Sequence, residues 1–213
     1  MYPLFFLTNF GDPFLTIPLA AVVLCWLACA SRPRAACSWA LGFGCGASLV
    51  ALSKFAYAAW DIGSTTLHFT GISGHTMLST AVYPPVAAIC ASRAGPVAAR
   101  YAIYAGFIFA VSIGLSRVAI GAHSWSEVVS GCVLGGAIAV MTLRVAASTP
   151  RLAAHALPQN HSNTYRTNAA KRGTAAFVTA ALTIVLLGHG HIAPVSSWIT
   201  DVAPKLTEWW STL

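Results

Sequence analysis

The chain is 213 residues long, 57% hydrophobic and only 8% charged, with a formal net charge of +7 and a mean hydropathy of +0.70. A soluble domain carries about 25% charged side chains, so this composition excludes a water-facing surface over most of the molecule and makes the bilayer its solvent. The basic excess sits in short gaps between apolar runs, where it reads as a topology signal and excludes a nucleic-acid partner.

In chain order, the opening MYPLFFLTNFGDP has no basic n-region and no small-residue cleavage pattern, so it does not read as a cleaved signal peptide. A spanning helix needs roughly 20 apolar residues. The first such run covers about 13–30 and is closed by Arg32 and Arg34. The second, about 36–60, carries Gly42, Gly44 and Gly46, a small-residue face that lets another helix approach closely. A polar stretch, 61–73, leads to the third run, 74–92, where Pro84 and Pro85 predict a kink. Arg93 and Arg100 flank the gap before the fourth run, 101–116. The fifth, 125–147, contains the GxxxG step Gly131–Gly135. The longest polar stretch, 148–172, is basic and precedes the sixth run, 173–189. In the tail, Ile199, Val202, Leu206, Trp209 and Leu213 recur at helical spacing opposite Asp201, Lys205 and Glu208. That pattern reads as a helix lying in the membrane interface, with Pro204 expected to break it in two.

The expected fold is therefore all-α: a single polytopic domain over 1–213, a bundle of about six transmembrane helices, with 195–213 as an amphipathic interfacial tail. The six cysteines fall in or beside apolar runs and form no CxxC pair. They read as small packing residues and provide no metal site.

Arg32, Arg34, Arg93, Arg100, Arg144, Arg151, Arg166, Lys171 and Arg172 fall on one side of a six-span arrangement, and all five acids fall on the other. The positive-inside rule then places both termini, the 61–73 stretch and the turn near residue 120 outside the cytoplasm. The basic inner stretch also suits anionic lipid heads. His155 and His161 belong to that stretch and read as solvated. His189 and His191 read as interfacial.

Ionisable groups in or beside spanning helices are costly and need a reason. Lys54, His75, Arg117 and His123 collect on the outer side, with Glu127 behind them. Two cations and two imidazoles at one membrane face form an anion site, and a lipid phosphate is the anion that fits it. Ser73-Gly74-His75 stands where a loop becomes a helix, a place where backbone N–H groups bind phosphate. Glu127 lies four residues after His123, the spacing that stacks two side chains on one helical face. A carboxylate there takes one imidazole proton and leaves the other nitrogen free to attack. Each feature also has a plainer reading. Ser124-x-x-Glu127 fits a capping box, Ser73 an N-cap, Lys54 a snorkelling lysine, and Arg117 an interfacial anchor.

The ordered set Ser73-Gly74-His75 and Ser116-Arg117-x5-His123-x3-Glu127, with Lys54 ahead of it, resembles the signature motifs of the type 2 phosphatidic acid phosphatase superfamily. That superfamily also contains the vanadium haloperoxidases. The resemblance implies a six-helix bundle with its site at the outer face and a metal-free, cofactor-free reaction. By the same resemblance His123 is the nucleophile, His75 the acid for the leaving oxygen, and Glu127 the group that orients His123. Lys54, Ser73, Gly74 and Arg117 would bind the phosphoryl oxygens. The chain departs from the family pattern in three places. The Arg-Pro of the first motif is Asp61-Ile62, with His68 as a substitute cation; the usual terminal Asp of the third motif is Glu127; and the proline before the Ser-Gly-His is Ile72.

These residues imply a bacterial-type inner-membrane lipid phosphatase. Its partners would be membrane lipids and a phosphatidic acid, undecaprenyl pyrophosphate or lipid A type substrate. A lipid phosphotransferase is the enzymatic alternative. A non-catalytic lipid-phosphate binding or transport protein is the alternative outside enzymes, favoured by the missing arginine. The sequence does not give the oligomeric state.

Overall fold

The computed structural model describes residues 2–148 and 159–211. Among the described residues eight helices follow one another: α1 (Tyr2–Asn9), α2 (Pro13–Cys29), α3 (Pro33–Trp60), α4 (Gly74–Ala91), α5 (Pro96–Ala119), α6 (Trp125–Ser148), α7 (Gln159–Gly188) and α8 (Val195–Ser211). Among the described residues the one strand-like feature is an isolated antiparallel bridge between Ser64 and Phe69.

Among the described residues four stretches are long and apolar enough to cross a membrane: Tyr2–Cys29, Pro33–Trp60, Pro96–Ala119 and Trp125–Ser148. Arg172–Gly188 is a shorter apolar helix. The third expected span, α4, is absent from that set for a physical reason. It is the central helix, packed by α2, α3, α5, α6 and α7. Every residue from Thr76 to Pro85 is buried, including Thr76, Ser79 and Thr80. A helix encircled by protein has no need of a lipid-facing apolar surface. Its polar side chains are satisfied locally: Thr80 Oγ1 donates to Thr76 O at 2.7 Å and Ser79 Oγ to the same carbonyl at 3.1 Å.

Close backbone approach builds this centre. A Cβ on Gly131 would stand 2.8 Å from Ser73 O, and one on Gly135 would run into Met77 O, so the GxxxG step of α6 lies directly against α4. Gly106 brings α5 equally close to Pro84, where a Cβ would meet Pro84 Cα at 2.8 Å. Of the glycines on α3, Gly42 and Gly46 face Ile138 of α6, whereas Gly44 faces open space. Residues two apart on a helix point about 200° apart, so only part of that triplet packs.

Lipid tails are as apolar as leucine, so packing and interhelical hydrogen bonds hold such a bundle, each bond contributing about 0.6–2 kcal/mol. Trp39 Nε1 donates to Ala20 O at 3.0 Å, joining α3 to α2. Tyr83 Oη donates to Phe10 O at 2.6 Å, joining α4 to the α1–α2 turn. Arg32 Nη1 donates to Ala146 O at 2.6 Å, tying the α2–α3 turn to the far end of α6.

Helix α4 runs on through Pro84 and Pro85. Two expectations are corrected. Helix α8 continues through Pro204 and is not divided in two. It packs along α3, with Ala203 fully buried. Helix α7 begins at Gln159, inside the stretch read as a polar loop. The expectations for Arg151 and His155 fall outside the described residues.

Candidate active site

The consecutive helices run in alternating directions, so one end of the bundle collects the N-termini of α2, α4 and α6 with the C-termini of α3 and α5. Those ends carry Asp12, His75, Glu127, Lys54 and Arg117 respectively. The sequence-predicted cations and imidazoles meet there. Arg117, His123 and Lys54 all act electrostatically on His75, and Lys54 and Arg117 act on His123.

The most sharply defined pair is His123 and Glu127. Nδ1 of His123 lies 2.6 Å from Oε2 of Glu127. Against an ionised carboxylate that nitrogen is the donor, which leaves Nε2 with a free lone pair. Glu127 is itself held from several sides. Its Oε1 accepts from Thr70 N at 2.7 Å and Thr70 Oγ1 at 2.6 Å. Its Oε2 also accepts from Ser124 N at 3.1 Å, while Glu127 N donates to Ser124 Oγ at 3.4 Å. The capping box therefore exists, and the same carboxylate serves the helix start and the imidazole together. The side chains of His123 and Glu127 are 10% and 4% exposed. Burial, with Lys54 and Arg117 close by, outweighs the Glu127 hydrogen bond and holds His123 below the usual histidine range.

Arg117 sits in the last turn of α5. Its Nη1 donates to Thr8 Oγ1 at 3.3 Å, and its Nε is buried without a hydrogen-bond partner. A buried guanidinium donor left over in this way is open to an anion. Lys54 lies on α3 under Gly71, whose φ of +145 suits glycine alone and whose Cβ would crowd Lys54 Cγ at 3.0 Å.

Ser73 occupies the N-cap position of α4, yet its side chain caps no backbone group. It is fully buried, with Oγ 2.9 Å from Thr76 Oγ1 and its N–H donated to Glu127 O at 3.1 Å. It thus binds the start of α4 to the start of α6. The first-turn N–H groups of Gly74 and His75 have no carbonyl within their own helix to pair with.

Asp61 and His68 are both exposed. Asp61 is the left-handed C-cap of α3 with φ 51, and His68 turns the Ser64–Phe69 hairpin with φ 47. This hairpin docks on α6 through Ser126 Oγ to Leu67 O at 2.9 Å. The His189 ring packs at a tilt against Phe6 and Phe10, centroids 4.5 Å apart, and His191 against Phe14 at 5.1 Å.

Sequence reasoning placed the N-terminus, the acids and the 61–73 stretch on this side but gave Thr70, Thr8, Gly71 and Asp12 no part in the site. Thr8 and Asp12 lie far from every motif residue in sequence, and Thr70 and Gly71 precede α4 in a loop where helical spacing carries no meaning. For Thr70 and Gly71 the available signal was their place in the one polar stretch beside the Ser-Gly-His. For Asp12 it was an acid at the mouth of a span.

Fold and site together define a bundle of membrane-spanning character in which His75, His123, Lys54 and Arg117 gather at one end. Residues 54–150 match the PAP2 superfamily, and the chain belongs to that superfamily, whose members are generally phosphatases. The match begins at Lys54 and covers His75, Arg117, His123 and Glu127, but not Thr8 or Asp12. Over 195 residues the chain is 32% identical to the "Uncharacterized 22.5 kDa protein in cps region" of Klebsiella pneumoniae, a match that covers 91% of this chain and 87% of that protein. No solved structure matches the chain significantly.

Proposed function

We propose that the protein is an integral membrane lipid phosphatase that cleaves a phosphate or pyrophosphate head group through a phosphohistidine at His123, without a metal. The observation that carries this reading is the 2.6 Å contact of His123 Nδ1 with Glu127 Oε2, with two cations bearing on the same imidazole. Nε2 of His123 attacks phosphorus while His75 protonates the departing oxygen. Lys54, Arg117 and the helix-start N–H groups of the Ser73–Gly74 segment stabilise the equatorial oxygens, where preorganised donors are worth several kcal/mol.

On this reading α2 to α7 supply six crossings, α8 lies at the outer interface, and the site opens on the periplasmic face of an inner membrane. The support is Arg32 bonded to Ala146 at the opposite end from Glu127, together with the one-sided basic residues.

Asp61 in place of the family arginine favours a second reading, a lipid-phosphate binding protein without turnover. One experiment separates them. Protein purified in detergent is offered phosphatidic acid, phosphatidylglycerol phosphate, undecaprenyl pyrophosphate and lipid A phosphates with EDTA present, and phosphate release is measured. Metal-independent release from one of these is expected. Binding with no release from any of them overturns the phosphatase in favour of the binding protein. Release to a second lipid but never to water identifies a phosphotransferase.

A further inference from the structure

Asp12 is the feature of this end of the bundle that the motif residues leave unexplained. It is 1% exposed, and a buried carboxylate is costly unless it is paired. Its Oδ1 is engaged twice, accepting from Phe14 N at 2.8 Å as the N-cap of α2 and from Ala193 N at 3.0 Å in the α7–α8 link. Its Oδ2 points the other way, 3.6 Å from Nε2 of His75. Gly11 makes this approach feasible: a Cβ there would stand 3.0 Å from His75 Cβ and 2.7 Å from Ile113 Cγ2. The turn between α1 and α2 therefore lies directly on the second histidine. Asp12 also acts electrostatically on Arg117.

We infer that Asp12 is the positioning residue of His75, holding Nε2–H so that Nδ1 presents the proton that the leaving oxygen receives. The inference rests on the phosphatase reading above. The site then contains two carboxylate–imidazole pairs with different duties. Glu127 holds Nδ1 of His123 and leaves Nε2 to attack; Asp12 holds Nε2 of His75 and leaves Nδ1 to deliver a proton. In the first half-reaction His123 Nε2 forms the P–N bond, and the P–O bond breaks with its electron pair on the leaving oxygen. That oxygen takes the proton from His75 Nδ1. In the second, water forms the new P–O bond and gives its proton to His75, while the P–N pair returns to His123. The facing carboxylate stabilises the imidazolium through both halves. A 3.6 Å separation is long for a hydrogen bond, but such contacts tighten when substrate is bound.

The test separates positioning from architecture by leaving group. Asp12→Asn keeps a carbonyl oxygen for Phe14 N and Ala193 N but removes the carboxylate from His75. The full chain in detergent is followed in single turnover, as release of the leaving alcohol or phenol before the shared hydrolysis step, on an alkyl lipid phosphate, whose leaving oxygen needs a proton, and on p-nitrophenyl phosphate, whose leaving group does not. The expected result is a loss of about 10²-fold on the alkyl ester, the low end of what a general acid contributes, with the aryl ester little changed. His75→Gln should show the same split, and the double variant should be no worse than His75→Gln alone. The aryl rate itself reports that the variant is folded. Equal losses on both esters would make Asp12 a purely structural cap and overturn the inference, as would no loss on either. Should the wild type split neither ester, or His75→Gln lose nothing on the alkyl ester, the phosphatase reading itself falls and this inference with it.

Discussion

Thr70 donates twice to one oxygen of Glu127, from its backbone N at 2.7 Å and its hydroxyl at 2.6 Å, across 57 residues of sequence. The loop after α3 is thereby fastened to the first turn of α6, and the carboxylate's other oxygen is aimed at His123. Thr70→Val keeps the backbone donor and removes the hydroxyl. A hydrogen bond to a charged group contributes about 1.5–3 kcal/mol, so kcat should drop roughly tenfold with KM little changed. Glu127→Gln, which alters the group that meets the imidazole, should cost more than Thr70→Val and less than His123→Ala. Steady-state kinetics of the three variants check the order.

The acidic limb of kcat/KM should lie below pH about 6.5, the ordinary histidine value. Burial, with Lys54 and Arg117 near, lowers the His123 value, so the neutral, attacking form persists to lower pH than in a free imidazole. The sign is tested by Lys54→Met: with one cation gone the His123 value rises, and the limb should move to higher pH even as the maximal rate falls. A limb above pH about 7 in the wild type, higher than the free imidazole value, would contradict this.

The helices and most of the site were legible in the sequence because both rest on local signals. Apolar runs of spanning length and the i, i+4 pair His123–Glu127 are patterns along the chain, and the structure places that pair at 2.6 Å. The central place of α4 was not legible, since its polar Thr76, Ser79 and Thr80 are explained by five neighbouring helices and by no period of its own. Thr70 and Asp12 were missed for a related reason. Each meets its histidine or glutamate through tertiary folding, and no spacing rule joins residue 12 to residue 75. Pro204 was misread because a helix tolerates proline where its neighbours compensate; α8 has α3 alongside it.

Two helical glycines should behave oppositely. A methyl group added at Gly44 would meet nothing within 4 Å, whereas one at Gly135 would strike Met77 O and stand 3.0 Å from Ala81 N. Gly135→Ala should lower the detergent melting temperature, overpacking costing about 1–3 kcal/mol. Gly44→Ala should leave it unchanged or raise it slightly, since alanine is the better helix former.

Topology is open to a direct chemical check. On a background lacking the native cysteines, Ser64→Cys in the hairpin should react with an impermeant maleimide in intact spheroplasts, and Ser162→Cys should not. The reverse pattern would turn the site to the cytoplasmic face.

The central claim is that His123 carries the phosphoryl group. The protein is mixed with ³²P-labelled substrate, quenched rapidly without acid, and the acid-labile, base-stable label is mapped by peptide. The account predicts label on His123, none in His123→Ala together with abolished turnover, and a reduced rate with label still on His123 in His75→Ala. Label on His75, or full activity in His123→Ala, would contradict it.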